Sequence, residues 1–105
     1  MKVVLVCFLD ESPPDIGEYI PPETTEIILV CVQGRQTKAF AAAEGIAVTE
    51  FPSGKRCRLG ACSKRIAAAV ESADMVLVFW DGKDRRTKRA IGICREKGIP
   101  TRVFV

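Results

Sequence analysis

Residues 75–88 read Met75-Val76-Leu77-Val78-Phe79-Trp80-Asp81-Gly82-Lys83-Asp84-Arg85-Arg86-Thr87-Lys88. The unbroken apolar run Met75–Trp80 fits a strand buried on both faces, as in parallel sheets covered by helices on either side. Asp81-Gly82 ends that run as a turn, and Asp84 stands where a helix N-cap belongs. Behind it Thr87, Ala90, Ile91 and Cys94 recur at i, i+3, i+4 and i+7, which predicts one buried helix face. Gly98 and Pro100 stop the helix, and Thr101–Val105 reads as a further strand. Strand, turn, helix and strand together form the unit of a parallel α/β sheet.

The same unit repeats upstream. Val3–Leu9 is another continuous apolar run. Ser12 offers an N-cap, Pro13-Pro14 suit a first helical turn, and Ile16, Tyr19 and Ile20 share a helical face. Pro21-Pro22 ends that short helix. Glu26–Val32 reads as a second buried strand, and a helix around Gln36–Glu44 follows with Ala39, Phe40 and Ala43 expected on its buried face. Gly45 is its stop. Ile46–Phe51 is a short third strand, and a loop opens at Pro52-Ser53-Gly54. A helix over about Ser63–Ser72 is expected to bury Ile66, Ala69, Val70 and Ala73.

The full order is βαβαβαβαβ within 105 residues, which suits one domain spanning 1–105. Each crossover is long enough for parallel pairing, and right-handed crossovers are nearly obligatory, so the expectation is an open five-stranded parallel sheet in the order 3-2-1-4-5. Ligands of such sheets bind at the carboxyl ends of the strands beside the topological switch, here between strands one and four. The candidate edge is assembled from Cys7–Asp10, Gln33–Arg35, Ser53–Arg65 and Trp80–Thr87.

Apolar residues make up 48% of the chain, enough for a core without disulfides or metals to staple it. No apolar run approaches the ~20 residues of a membrane helix. Met1–Val6 differs from a secretory leader because Asp10-Glu11 follows where a small-residue cleavage site belongs. A cytoplasmic location is expected. The five cysteines include no CxxC pair, and with no histidine a conventional zinc site would require four thiols at unsuitable spacings. Cys7, Cys31 and Cys94 sit in apolar patterns and are expected to be buried, reduced thiols. Cys57 and Cys62 lie in a basic loop that would lower a thiol pKa, so a reactive role stays open for them. Net charge is +3, but acids crowd the first quarter, while bases crowd 55–65 and 83–89.

Thr49-Glu50-Phe51, Gly60-Ala61-Cys62-Ser63-Lys64-Arg65, Ala73-Asp74 and Phe79-Trp80-Asp81-Gly82-Lys83 carry a family resemblance. The chain resembles small single-domain members of the SLOG superfamily, related to the DNA-processing protein and Lonely Guy families. The resemblance implies a three-layer Rossmann-like domain that binds a nucleotide or a nucleotide derivative. It also has departures. The glycine-containing turns of the family read Cys7-Phe8-Leu9 after strand one and Val30-Cys31-Val32-Gln33-Gly34 after strand two. Asp84 and Arg86-Thr87 replace the Ser and Gly-Thr expected after Asp81-Gly82. Glycines in such turns let backbone N–H groups approach phosphate, and their replacement obstructs that cradle.

The candidate ligand-binding residues are Phe8, Leu9, Gln33, Gly34, Arg35, Arg56, Arg58, Lys64, Trp80, Asp81, Gly82, Lys83, Arg85, Arg86 and Thr87. Amides near Thr87 would bind an anion at the helix N-terminus, and Arg85 or Arg86 would supply by side chain what the lost glycines no longer supply. The competing reading makes Asp81-Gly82 an ordinary turn, the cations a solvated face and Trp80 a plug that closes the core. Catalysis has little support: no nucleophile–base pair stands at a known spacing. A receiver-domain reading fails because Glu50-Phe51 occupies the place of the phospho-acceptor aspartate and the last strand lacks a lysine. A thioredoxin reading fails for want of CxxC.

The expectation is a diverged binding or sensor module for a nucleotide-like or other anionic small ligand. A degenerate protein-interaction or self-association module is the alternative, and a nucleotide-processing enzyme comes third. No cofactor and no metal are expected. The expected partner is a phosphorylated or nucleotide-derived small molecule in preference to nucleic acid, with no membrane partner and with a homo-oligomer left open.

Overall fold

The computed structural model describes residues 1–7, 16–31, 35–52 and 66–104. Five strands form one parallel sheet: β1 (Lys2–Cys7), β2 (Glu26–Cys31), β3 (Ala47–Pro52), β4 (Met75–Phe79) and β5 (Thr101–Phe104), in the order β3-β2-β1-β4-β5. Between them run helices α1 (Ile16–Tyr19), α2 (Arg35–Glu44), α3 (helical over 66–71) and α4 (Arg85–Lys97). Order and direction agree with the sequence expectation. No helix among the described residues is long and apolar enough to cross a membrane.

Alternation of side chains along the strands divides the core in two. On one face Val4, Val6, Ile28, Val30, Val76 and Val78 meet Ile66, Ala69 and Val70 of α3 and Ala90, Ile91 and Cys94 of α4. On the other, Val3, Leu5, Ile27, Leu29, Leu77 and Phe79 meet Ile16 and Ile20 around α1 and Ala41 of α2. β1 is the central strand, and residues Val3 to Cys7 are at most 1% exposed. That two-sided burial is why these strands read as unbroken apolar runs rather than alternating ones.

Register is pinned at the amino edge of the sheet. The Lys2 amide donates to Asp74 Oδ2 at 2.8 Å, and the Asp74 amide donates back to the Lys2 carbonyl at 2.8 Å. β1 then pairs with β2 from Lys2↔Glu26 and with β4 from Val3↔Met75.

Several element ends differ from the sequence reading for local reasons. The Ile46 amide donates to the Ala41 carbonyl, so Ile46 completes the end of α2 and β3 begins at Ala47. Trp80 still donates its amide to the Phe104 carbonyl but lies beyond the last residue of β4. Phe8, Leu9, Ser12, Pro13, Pro14, Val32, Ser63 and Val105 lie outside the described residues.

The buried face of α2 is a correction. Thr37 and Ala41 are buried and Phe40 packs against the core, whereas Ala39 and Ala43 are exposed. Residues 37 and 41 lie one turn apart, and 39 and 43 are rotated away by about 200°. The Thr37 hydroxyl is carried into the interior and has no hydrogen-bond partner among the described residues. Helices α1 and α2 approach closely because Gly17 has no side chain: a Cβ there would stand 2.7 Å from Phe40 Cε2.

The stripe on α4 is as read, with Thr87, Ala90, Ile91 and Cys94 buried. Gly98 caps its end in the left-handed region at φ 68°, donating its amide to Arg95 O at 3.2 Å while Ile99 donates to Cys94 O at 3.1 Å. Tyr19, Phe79 and Phe104 close the sheet face near β4 and β5. Tyr19 meets Phe79 edge-on at 5.3 Å and Phe104 at 4.7 Å, while Phe79 and Phe104 stack at 5.2 Å.

Candidate functional site

The strand order places the topological switch between β1 and β4, where the crossover helices pass to opposite sheet faces. The described side of this crevice is the turn from Trp80 to Thr87. Its conformation follows from three side chains.

Asp81 builds the turn. Its Oδ1 accepts hydrogen bonds from the Lys83 amide at 2.7 Å and the Asp84 amide at 2.8 Å, an Asx-type arrangement. Between them Gly82 adopts φ 85°, a region that side-chain-bearing L-residues rarely enter. Asp84 then caps α4. Its Oδ2 accepts from the Thr87 amide at 3.0 Å and from the Thr87 hydroxyl at 2.7 Å. Its Oδ1 pairs with Arg86 Nε at 3.4 Å. Trp80 holds the turn to the body of the domain: the half-buried indole packs against the core and Nε1 donates to the Asp84 carbonyl at 3.1 Å.

These bonds decide what the edge has left to offer. The amides of Lys83, Asp84 and Thr87 are satisfied by carboxylates of the same turn. Thr87 is buried, with its hydroxyl already donating. Beyond those three amides, the turn offers an anion the charge of its cationic side chains. Lys83 and Arg85 are exposed, and neither forms a side-chain hydrogen bond or ion pair among the described residues. Arg86 is half-buried and directed onto Asp84.

Two amide donors on one carboxylate favour its ionised form, so the Asp84 and Lys83 amides hold the Asp81 carboxyl below the usual carboxylate range. A folded-state pKa below the unfolded value stabilises the fold above the ordinary carboxylate pKa. That contribution is lost as pH falls through the lowered value. A carboxyl carbon NMR titration is therefore expected to place the Asp81 midpoint below that of an unfolded peptide. Asp81→Asn keeps the acceptor oxygen and should remove this part of the acid limb below about pH 4. An Asp81 midpoint at or above the peptide value would contradict the Asx geometry.

Of the other candidate residues, Phe8, Leu9, Gln33, Gly34, Arg56, Arg58 and Lys64 lie outside the described residues. Arg35 opens α2 on the carboxyl side of β2, with only its backbone described. Trp80, Asp81, Gly82, Lys83, Arg85, Arg86 and Thr87 are brought together in one turn. Cys7 and Cys94 are both buried, and burial pushes the Cys94 thiol pKa up, away from thiolate reactivity. The side chain of Cys31 and all of Cys57 and Cys62 lie outside the description.

Sequence reading missed two features. One is the double role of Asp81 and Asp84 in taking up the amides of their own turn. The spacing of acceptor to donor, two to three residues, was the available signal. The other is the buried Thr37 hydroxyl in the first turn of α2, which an alanine-rich helix does not announce.

No protein-family model matches the chain, and no curated protein matches it. Among solved structures, the C-terminal domain (residues 78–226) of the PF1911 hydrogenase from Pyrococcus furiosus superposes with a TM-score of 0.55. The alignment covers 99% of this chain and 91% of that one at 12% identity. The likeness is one of fold, and it agrees with a Rossmann-like α/β arrangement.

Proposed function

We propose that this chain is a diverged SLOG-type binding module that holds a nucleotide-like or other anionic small ligand at the carboxyl edge of its sheet. The observation that carries this reading is the pair of exposed cations Lys83 and Arg85, without an ion pair among the described residues, at the mouth of the β1/β4 switch point. A crevice at that position is where open α/β sheets receive ligands. With the Lys83, Asp84 and Thr87 amides already committed to carboxylates, the anion is recognised mainly by side-chain charge rather than by a glycine cradle. The basic segment 55–65 enters the same proposal from its sequence.

The test is a thermal-shift panel of inorganic phosphate and nucleoside mono-, di- and triphosphates at low salt. Ligand at 100 times its Kd stabilises by about 2.7 kcal/mol. That corresponds to a rise in Tm of roughly 10–20 °C for a domain of this size. Lys83→Ala/Arg85→Ala should abolish the rise while leaving the unliganded Tm nearly unchanged, because surface substitutions of this kind cost little.

The self-satisfied turn favours a second reading, a degenerate domain that acts through protein contacts or self-association. A flat panel for the unmodified chain would support that reading and exclude the first.

A further inference from the structure

Helix α4 presents to solvent a face that the fold itself does not require. Opposite its buried stripe, Arg85, Lys88, Arg89, Gly92, Arg95 and Glu96 are exposed. At about 100° per residue, Gly92 falls on the midline of this face, with cations on both sides of it. The side chains of Arg85, Lys88, Arg89 and Arg95 form no ion pair or hydrogen bond among the described residues. The neighbouring cations differ: Arg86 is tied to Asp84 and Lys97 to Glu71.

Gly92 is the more telling residue. Glycine is the poorest helix former after proline, and interior positions normally select against it. Its φ is not in the left-handed region, and a Cβ built there meets nothing within 4 Å among the described residues. Neither backbone conformation nor packing among the described residues asks for glycine. What its absent side chain creates is a notch at the centre of a basic surface, where a partner can reach the helix backbone.

We infer that α4 docks against the phosphate backbone of double-stranded DNA, with Gly92 as the point of closest approach. The chemistry of the face selects this partner. It carries no large apolar side chain, since Ile93 at its flank packs against the core, so it suits neither insertion into a lipid surface nor apolar helix packing. Three of its four cations are arginines, whose planar forks match phosphate oxygens in pairs. Arg85 to Arg95 spans about 15 Å along the helix axis, comparable with the ≈ 12 Å width of the major groove. The overall charge of +3 understates this local concentration.

The inference shares Arg85 with the ligand site proposed at the carboxyl edge but rests mainly on Lys88, Arg89, Gly92 and Arg95, and its variants leave Lys83, Arg85 and Arg86 in place. Fluorescence anisotropy of a labelled duplex of roughly 20 bp, titrated with the full chain between about 50 and 200 mM salt, reads it directly. Four phosphate contacts predict a log–log salt slope near −3.6, on the basis of about −0.9 per phosphate. Arg89→Ala/Arg95→Ala should weaken binding at least about tenfold at the lowest salt and flatten the slope by about 1.8. Gly92→Ala should move two readouts in opposite directions. It should raise Tm by roughly 4–8 °C by improving the helix, yet weaken binding severalfold by filling the notch. Absence of binding at low salt overturns the inference, as does unchanged affinity in either variant. Equal or tighter binding to phosphatidylserine vesicles than to the duplex overturns it in favour of a membrane surface.

Discussion

Phe79→Ala is expected to destabilise the fold by about 3–5 kcal/mol, the range for removing a buried phenylalanine. Phe79 is 3% exposed and is the last residue of β4, stacked on Phe104 and met edge-on by Tyr19. Its loss leaves a cavity too well framed by the sheet to collapse, and it removes two aromatic contacts worth roughly 0.5–1.5 kcal/mol each beyond area burial. For a domain of this size the Tm should fall by roughly 12–40 °C, measured by thermal or urea unfolding. Phe79→Leu, which conserves most of the volume, should cost less than about 1.5 kcal/mol. An alanine variant within 1 kcal/mol of the unmodified chain would remove this trio from the account of the core, on the same scale. Because Phe79 leads directly into Trp80 and Asp81, its packing also fixes where the turn emerges.

Asp84→Ala should produce the second-largest effect, about 2–4 kcal/mol. Loss of an N-cap acceptor costs about 1 kcal/mol. The buried Thr87 hydroxyl also loses the oxygen it donates to, and an orphaned buried donor costs roughly 1–3 kcal/mol. Asp84→Asn retains an acceptor and should recover most of the difference. A second readout makes the variant informative about binding. Removing the carboxylate frees the Thr87 amide and takes a negative charge from the start of α4, where the helix dipole favours anions. Added phosphate should therefore raise the Tm of Asp84→Ala more than that of the unmodified chain. Equal responses would show that the cap does not compete with an anion for this position.

The sheet was legible because β1, β2 and β4 are buried on both faces, so each strand is written as an apolar run with a punctuating turn. The face of α4 was legible for the opposite reason: Thr87, Ala90, Ile91 and Cys94 stand out against a charged background. In α2 that contrast is missing. Ala39, Ala42 and Ala43 are all small and apolar, so periodicity gives no phase, and tertiary packing turned Thr37 inward instead. At the candidate site, Asp84 as the cap and Gly82 as the turn were both readable. Their consequence was not, because a residue type shows that a carboxylate is present but not which amides it will occupy. Gly92 was equally silent in the sequence, since only the built helix shows that no described residue fills the space beside it.

The central position of β1 also sets an order of events during synthesis. Its first neighbour, β2, follows closely in the chain, but Lys2 meets Asp74 across 72 residues. At synthesis rates of about 5–20 residues per second, that separation is a wait of roughly 4–15 s. Contacts this distant in sequence are slow to form, because loop closure must be completed before any burial rewards it. Until β4 emerges, one long edge of Val3–Cys7 has no strand to pair with, although these residues become the most deeply buried ribbon of the finished protein. The newborn chain therefore passes through an interval in which its future centre is its most adhesive surface.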